Sequence, residues 1–128
     1  MDRMTKITIN GIERCLNFSI EIMFDVNDKF GGVQSLLDVL TKKDREAIAA
    51  VRWCAVRLIN DGELCRRESG YDPLPMMNEK DISARMNPAD FETVRAAVVA
   101  AITAGFKREV TAENEERDLG LEELNAKK

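Results

Sequence analysis

The sequence contains no histidine, and this absence narrows the chemistry that the protein can perform. Histidine is the commonest general base, the usual partner of a nucleophilic serine or cysteine, and the commonest metal ligand. Cys15, Cys54 and Cys65 form no CxxC pair and are odd in number, which argues against a disulfide framework and a zinc ribbon. We expect them to be small apolar residues or free thiols in a reducing cytosol. The sequence therefore predicts a protein that is not an enzyme, with no catalytic, cofactor-binding or metal-binding residues.

The sequence also lacks a basic surplus and a long apolar run. Acidic residues outnumber basic ones by 23 to 19, which gives a formal net charge of -4, whereas a nucleic-acid-binding surface needs dense positive charge. No run approaches the ~18 apolar residues of a membrane span, and the N-terminal MDRMTKITING lacks the apolar centre of a secretory signal. We expect a soluble cytoplasmic protein with neither a nucleic-acid nor a membrane partner.

What the sequence does contain is typical of one globular domain followed by an acidic tail. The chain has 128 residues, of which 45% are hydrophobic and 33% charged. Between Glu109 and Glu123, seven acidic residues stand against the single basic residue Arg117. We expect a globular domain over residues 1–108 and a flexible acidic tail over residues 109–128.

The first elements are predicted to be a β-hairpin. Asn10-Gly11 separates two runs rich in β-branched residues, which is the strongest short signal for a type I′ turn. That turn places Ile9 opposite Ile12 and defines one apolar face, with Arg14 as its exception. The predicted members of this face are Ile7, Ile9, Ile12, Leu16 and Phe18. A lone hairpin is marginally stable, so we expect helices to cover this face, which makes the fold class α+β.

Three helices are predicted to follow the hairpin. The first begins with Ser19 as its N-cap and ends at Gly31-Gly32. Its expected core stripe includes Ile20, Met23, Phe24 and Asn27, widened by Ile22 and Val26. The second carries Val33, Leu36, Leu37 and Leu40 at helical spacing. The third follows a capping box of Thr41 and Asp44, carries Ile48, Val51, Ala55, Leu58 and Ile59 on one face, and ends near Asn60-Asp61-Gly62.

The remainder is predicted to be an exposed loop and two more helices. Residues 63–77 include two prolines and several turn formers, which favours a connecting loop. Asn78 and Asp81 indicate the start of a short helix that carries Ile82 and Met86, and Asn87-Pro88 indicates the start of the last one. The last helix should end near Phe106, with its core stripe at Phe91, Val94, Val98, Ala101, Ile102 and Gly105.

Several residues of types that can act in catalysis or binding are better explained by structural roles. Cys54 has no histidine to activate it, so we expect a core residue. The adjacent acids of Glu115-Glu116 and Glu122-Glu123 do not face each other on a helix and have no apolar pocket. Trp53 lies off the main stripe of its helix, and so packs against a second neighbour or anchors a partner. The basic residues of the third helix and of the segment that follows it are interspersed with acidic residues. This favours a solvated surface of mixed charge over a nucleic-acid-binding patch. These basic residues are Arg52, Arg57, Arg66 and Arg67.

The order of these signals resembles the tail assembly chaperones of long-tailed bacteriophages and prophages. A strand ending in Ile9-Asn10-Gly11 leads to a second strand, and a helix ending in Lys29-Phe30-Gly31 precedes a Leu-rich helix and an Ala-rich helix with a tryptophan. A late helix ends in Ala104-Gly105-Phe106 ahead of the acidic tail. The resemblance covers most of residues 5–107 in order and pattern, at low identity.

The resemblance implies a function without catalysis. Such chaperones bind the tape measure protein and recruit tail tube subunits, act in the host bacterial cytoplasm, and are absent from the mature virion. The resemblance also implies a possible frameshifted, extended form, for which we expect a slippery site at or shortly before Lys127. The chain could also associate with further copies of itself as a homo-oligomer. Two alternatives stay open: a structural head–tail connector or minor tail component, and a small acidic helical adaptor.

Overall fold

The computed structural model of the chain describes residues 4–106, and it has the expected α+β fold. An N-terminal antiparallel hairpin precedes helices that make up most of the described chain. The strands are β1 (Thr5–Ile9) and β2 (Ile12–Leu16), and the helices are α1 (Ile20–Phe30), α2 (Val33–Leu40), α3 (Arg45–Glu68), α4 (Glu79–Ser83) and α5 (88–106). The acidic tail and the expected frameshift position lie outside the described residues.

The hairpin forms in the predicted register. Ile9 pairs with Ile12, and the turn residues Asn10 and Gly11 have the positive φ values of 53° and 79° that a type I′ turn requires. The expected apolar face is wrong at Ile12, which is 39% exposed, whereas Arg14, the polar exception on that face, is buried. Burial along β2 increases away from the turn, toward the end of the strand that lies against α3.

Gly62 lies where α3 meets β2, and the sequence assigned it the wrong role. It was expected to end the third helix, but α3 continues through it to Glu68. A Cβ atom at this position would lie 2.0 Å from the carbonyl oxygen of Cys15. The neighbouring Asn17 N–H donates a hydrogen bond of 3.0 Å to the Leu58 carbonyl. Glycine is therefore needed here for close approach of two backbones, not for helix termination.

Helix α1 has the predicted ends but a different buried face. The Ser19 hydroxyl accepts a hydrogen bond from the Ile22 amide, and Gly31 ends the helix with φ 86°. Ile22 and Val26 are buried, whereas Phe24 of the predicted core stripe is 63% exposed. Apolar residues occupy two adjacent faces of this helix, and only one of them contacts the core.

The next two helices follow the predicted pattern with one correction at their junction. Leu36 and Leu40 of α2 are buried, as expected. The capping box of Thr41 and Asp44 does not form, because Thr41 ends α2 and its amide donates to the Leu37 carbonyl. Asp44 alone is the N-cap of α3, and its carboxylate accepts a hydrogen bond of 2.9 Å from the Ala47 amide.

The last two helices begin where the sequence placed them. Asn78 and Asp81 form a reciprocal capping box at α4, which ends at Ser83 and so does not reach Met86 as expected. The Asn87 side chain accepts a hydrogen bond of 2.9 Å from the Asp90 amide at the start of α5. The residues of the predicted stripe that are buried are Val94, Val98, Ala101 and Ile102. Residue 106 is the last one described, so the helix end expected near it stays a prediction.

One hydrophobic core joins the hairpin to all five helices. It draws on both strands, on the Ile22–Val26 face of α1, and on the middle of α3 from Ala50 to Ile59. None of the helices in residues 4–106 is long and apolar enough to cross a lipid bilayer.

Candidate functional site

A concave surface lies between α3, α4 and the first half of α5. Its volume is about 360 Å³, at the lower end of the range of small-molecule sites. The apolar side chains along its floor are Ile48, Ile82, Met86, Pro88 and Phe91. The polar side chains around it are Lys43, Arg52, Ser83, Asn87, Glu92 and Arg95. We call this surface the groove.

Hydrogen bonds of two arginine side chains hold the helices on either side of the groove in place. The Arg52 guanidinium on α3 donates to the Glu79 carboxylate at 2.8 Å and to the Ser83 hydroxyl at 2.9 Å, which ties α4 to α3. On the opposite wall, Arg95 of α5 donates to the backbone carbonyls of Leu40 and Lys42 after the end of α2. The groove is thus framed by helices that charge-assisted hydrogen bonds hold in place.

The floor of the groove includes one apolar side chain, Ile48, that the core leaves largely exposed. Ile48 was predicted to be a core residue of the third helix, yet it is 47% exposed. It lies in the first turn of α3 and lines the open groove. Phe91 is half-buried, and the Arg95 guanidinium lies 5.8 Å from its ring centroid. The arrangement provides an apolar slot with charged edges, which suits an amphipathic helix.

The residues considered for chemistry occupy structural positions. Cys54 is buried in α3, and burial raises the pKa of its thiol to about 12, so the reactive thiolate is not formed near neutral pH. Burial also raises the pKa of the Cys15 thiol. No group of three or more histidine, cysteine or acidic side chains that could hold a metal ion exists within residues 4–106. The two adjacent acid pairs of the tail lie outside those residues.

The four arginines examined as a nucleic-acid patch are all bound to carboxylates. Arg52 pairs with Glu79 and Arg57 with Asp25, while Arg66 and Arg67 share one acid. A phosphate-binding surface needs positive charge that is free to contact phosphates. This pairing favours the mixed solvated face.

Trp53 packs against neighbours within the fold. Its ring meets the Phe30 ring edge-on with centroids 5.6 Å apart, and the Arg57 guanidinium lies 5.1 Å from the indole. The side chain is half-buried rather than exposed. Of the two interpretations that the sequence left open, the geometry favours packing against a second neighbour over anchoring a partner.

The sequence did not indicate that Glu63 organises the loop after α3. Its carboxylate is 1% exposed and accepts hydrogen bonds from Arg66 (2.7 Å), Arg67 (3.0 Å) and the Leu74 amide (2.7 Å). Burial alone would raise the pKa of Glu63, but the Leu74 amide and the two guanidinium groups outweigh it and hold the pKa below its usual range. The spacing of Glu63, Arg66 and Arg67, at i, i+3 and i+4, was the available signal that the helix continues.

Further side chains bind the same loop, which was predicted to be merely exposed. The Asn60 amide group donates to the Met77 carbonyl at 2.9 Å and accepts from the Met77 amide at 2.8 Å. The buried Arg14 donates to the Pro75 carbonyl at 2.8 Å, which explains why a guanidinium lies on the inner face of the hairpin. Residues 71–78 are irregular, as predicted, but their backbone is held by side chains of β2 and α3.

Comparison with known proteins assigns the chain to no family. No family model matches the chain, and neither curated protein sequences nor solved structures give a significant match to it.

Proposed function

We propose that this chain is a non-catalytic binding protein of the tail assembly chaperone kind, which covers an apolar helical stripe of a phage tape measure protein until the tail tube assembles. The open apolar groove is the main support for the proposal. An apolar stripe of a client helix could pack on Ile48 and Phe91 and would then no longer be exposed to water. The choice of a tape measure protein as the client rests on the resemblance of the sequence to tail assembly chaperones. Many copies along one client would cover a long stripe.

The groove combines an apolar floor with charged edges, which suits an amphipathic helix. An amphipathic helix binds such a groove through two or three bulky side chains spaced at i, i+3 or i+4 and i+7. The buried thiol of Cys54, with its raised pKa, offers no nucleophile to a ligand. We therefore propose no reaction and no cofactor. By the resemblance, the protein acts in the host cytoplasm and leaves before the virion is complete.

Co-expression tests the proposal. The tape measure protein encoded downstream of this chain is expressed with the wild-type chain, with an Ile48→Glu variant, and alone. We expect the wild-type chain to increase the soluble fraction of the tape measure protein and to co-purify with it. The glutamate variant should do neither, because a charge in the groove floor opposes an apolar side chain. An exposed control variant, Leu64→Glu, should act like the wild type.

The alternatives predict other outcomes. If the chain neither solubilises nor co-purifies with the tape measure protein, the chaperone proposal fails. Recovery of the chain from purified tail particles would instead support a connector or minor tail component. The absence of a major tail protein gene upstream and of a very long gene downstream would favour an adaptor protein.

A further inference from the structure

The outer face of α1 carries a second apolar surface, which has no residue in common with the groove. Ile20 is 52% exposed and Phe24, one turn later on the same face, is 63% exposed. Ile20 also lines a small cleft with Phe18, Met23 and Phe106. The rings of Phe18 and Phe106 lie 5.8 Å apart, and Phe106 is itself 39% exposed. We call these five residues the aromatic face.

The aromatic face concentrates a residue type of which the protein has few copies. The chain contains five phenylalanines, and three of them, Phe18, Phe24 and Phe106, belong to this face. The remaining two, Phe30 and Phe91, are half-buried. Single exposed apolar residues are ordinary on protein surfaces, but a group rich in aromatic side chains is typical of an interface.

The charges beside the aromatic face are negative. Glu21 and Asp28 are exposed on the adjoining side of α1, and neither forms an ion pair with any other residue of the described range. Asp25, between them, is already paired with Arg57. The Lys29 ammonium lies 5.6 Å from the ring of Trp53 and thus interacts with a different part of the fold. Two uncompensated acids therefore flank the exposed apolar residues.

We propose that the aromatic face binds an amphipathic helix of a partner protein that has lysine or arginine beside its apolar stripe. Basic side chains on such a helix would face Glu21 and Asp28, and bulky apolar side chains would pack over Ile20 and Phe24. The cleft at Phe18 holds only about 20 Å³, so the partner packs flat against α1 rather than inserting a side chain. This surface does not depend on what the groove binds, and a chain with both surfaces can hold two proteins at once.

The test uses a defined probe rather than an unknown partner. A fluorescent 18-residue amphipathic helix made of leucine and lysine is titrated with the full chain at physiological ionic strength, and its anisotropy is followed. We expect the Ile20→Ser, Phe24→Ser double variant to bind at least about tenfold more weakly than the wild type. The Leu64→Ser variant removes an exposed apolar side chain outside the face and should bind as the wild type does. Circular dichroism verifies that each variant is folded.

A second comparison separates a local charge effect from general attraction to an acidic protein. The Glu21→Lys, Asp28→Lys variant and the Glu68→Lys, Asp72→Lys variant have the same net charge, but only the first changes the flank of the aromatic face. We expect the first to weaken binding of the leucine–lysine peptide at least about fivefold more than the second. A peptide with glutamate in place of lysine should bind weakly to the wild-type chain and more tightly to the Glu21→Lys, Asp28→Lys variant.

Four results would overturn the proposal. The first is equal weakening by both charge variants, which would mean non-specific attraction. The second is binding that is insensitive to loss of Ile20 and Phe24. The third is self-association of the wild-type chain that these two serine substitutions abolish, since a second copy would then occupy the face. The fourth is the absence of measurable binding.

Discussion

At the scale of single residues, Gly62 shows how a close backbone approach constrains one side chain. A methyl group there would have to displace the backbone of Cys15 in β2, which is itself held by the hairpin. A clash with backbone as close as this one should reach or exceed the upper end of the usual overpacking cost of about 1–3 kcal/mol, and the better helix propensity of alanine returns about 1 kcal/mol.

We therefore predict that Gly62→Ala lowers the free energy of unfolding by about 2 kcal/mol or more, measured by urea denaturation. Gly105→Ala is the matched control, because a Cβ at residue 105 would lie 3.2 Å from a side-chain atom of Phe18, which can rotate. The control should change stability by less than about 1 kcal/mol. An unchanged Gly62→Ala protein would mean that α3 and β2 do not approach as described.

A second residue-scale prediction contrasts Val98 with Phe24. Val98 is fully buried in α5, so Val98→Ala should lower the free energy of unfolding by about 2–3 kcal/mol. Phe24 is mostly exposed, so Phe24→Ala should change it by less than about 0.5 kcal/mol, although it removes many more atoms. Equal losses would place Phe24 in the core, as the sequence suggested, and would remove the aromatic face.

At the scale of elements, the irregular segment 71–78 is ordered by side chains from outside it. The buried Glu63 carboxylate is its central anchor, because it binds the Leu74 amide and two guanidinium groups whose other donors reach the carbonyls of Asp72 and Leu74. Breaking a buried charged network is costly, since the remaining charges lose their partners.

We predict that Glu63→Gln lowers the free energy of unfolding at pH 7 by about 2–4 kcal/mol. Hydrogen exchange at the Leu74 and Met77 amides should accelerate more than exchange in the middle of α3. Glu68→Gln, which changes an exposed acid at the end of the same helix, is the control and should have little effect on either measurement.

The pH dependence of this network has a definite sign. The pKa of Glu63 is lowered in the folded protein, so its stabilising contribution is complete above the ordinary glutamate pKa of about 4.3. That contribution is lost as the pH falls through the lowered folded-state pKa. The difference in unfolding free energy between the wild type and Glu63→Gln should thus narrow between about pH 5 and pH 3. A constant difference over that range would contradict the charge-based account.

Local sequence signals were sufficient to identify the helices and strands, whereas the buried faces of these elements depend on tertiary contacts. The turn at Asn10-Gly11 and the N-caps Ser19, Asn78 and Asn87 each depend on residues within four positions, and the structure confirms all of them. The sequence did not identify the buried face of α1 or the role of Gly62, because these depend on which surface approaches from elsewhere in the chain.

The groove was beyond sequence-based prediction for the same reason. Its floor joins residues as far apart as Ile48 and Phe91, and the exposure of Ile48 follows from a gap between helices rather than from its own spacing. The sequence did predict every helix that forms the groove. It also placed Cys54 correctly in the core, since an apolar surrounding and the lack of histidine are visible without coordinates.

At the scale of the whole molecule, the two exposed apolar surfaces have no residue in common and differ in charge. The groove is lined by three basic residues and one acid, whereas two acids that form no ion pair within residues 4–106, Glu21 and Asp28, flank the aromatic face. Different surroundings of this kind select different helices. An assembly chaperone has to hold its client and release it to other proteins, and two separate surfaces suit that task.

The central claim, that the client binds in the groove, is tested most directly by mapping where it binds. Isoleucine and methionine methyl groups of the full chain are labelled with ¹³C, and a helical segment of the tape measure protein is added. We predict that the methyl signals of Ile48, Ile82 and Met86 shift, and that those of Ile20 and Met23 do not. Shifts confined to Ile20 and Met23, or no shifts at saturating concentrations, would contradict the account.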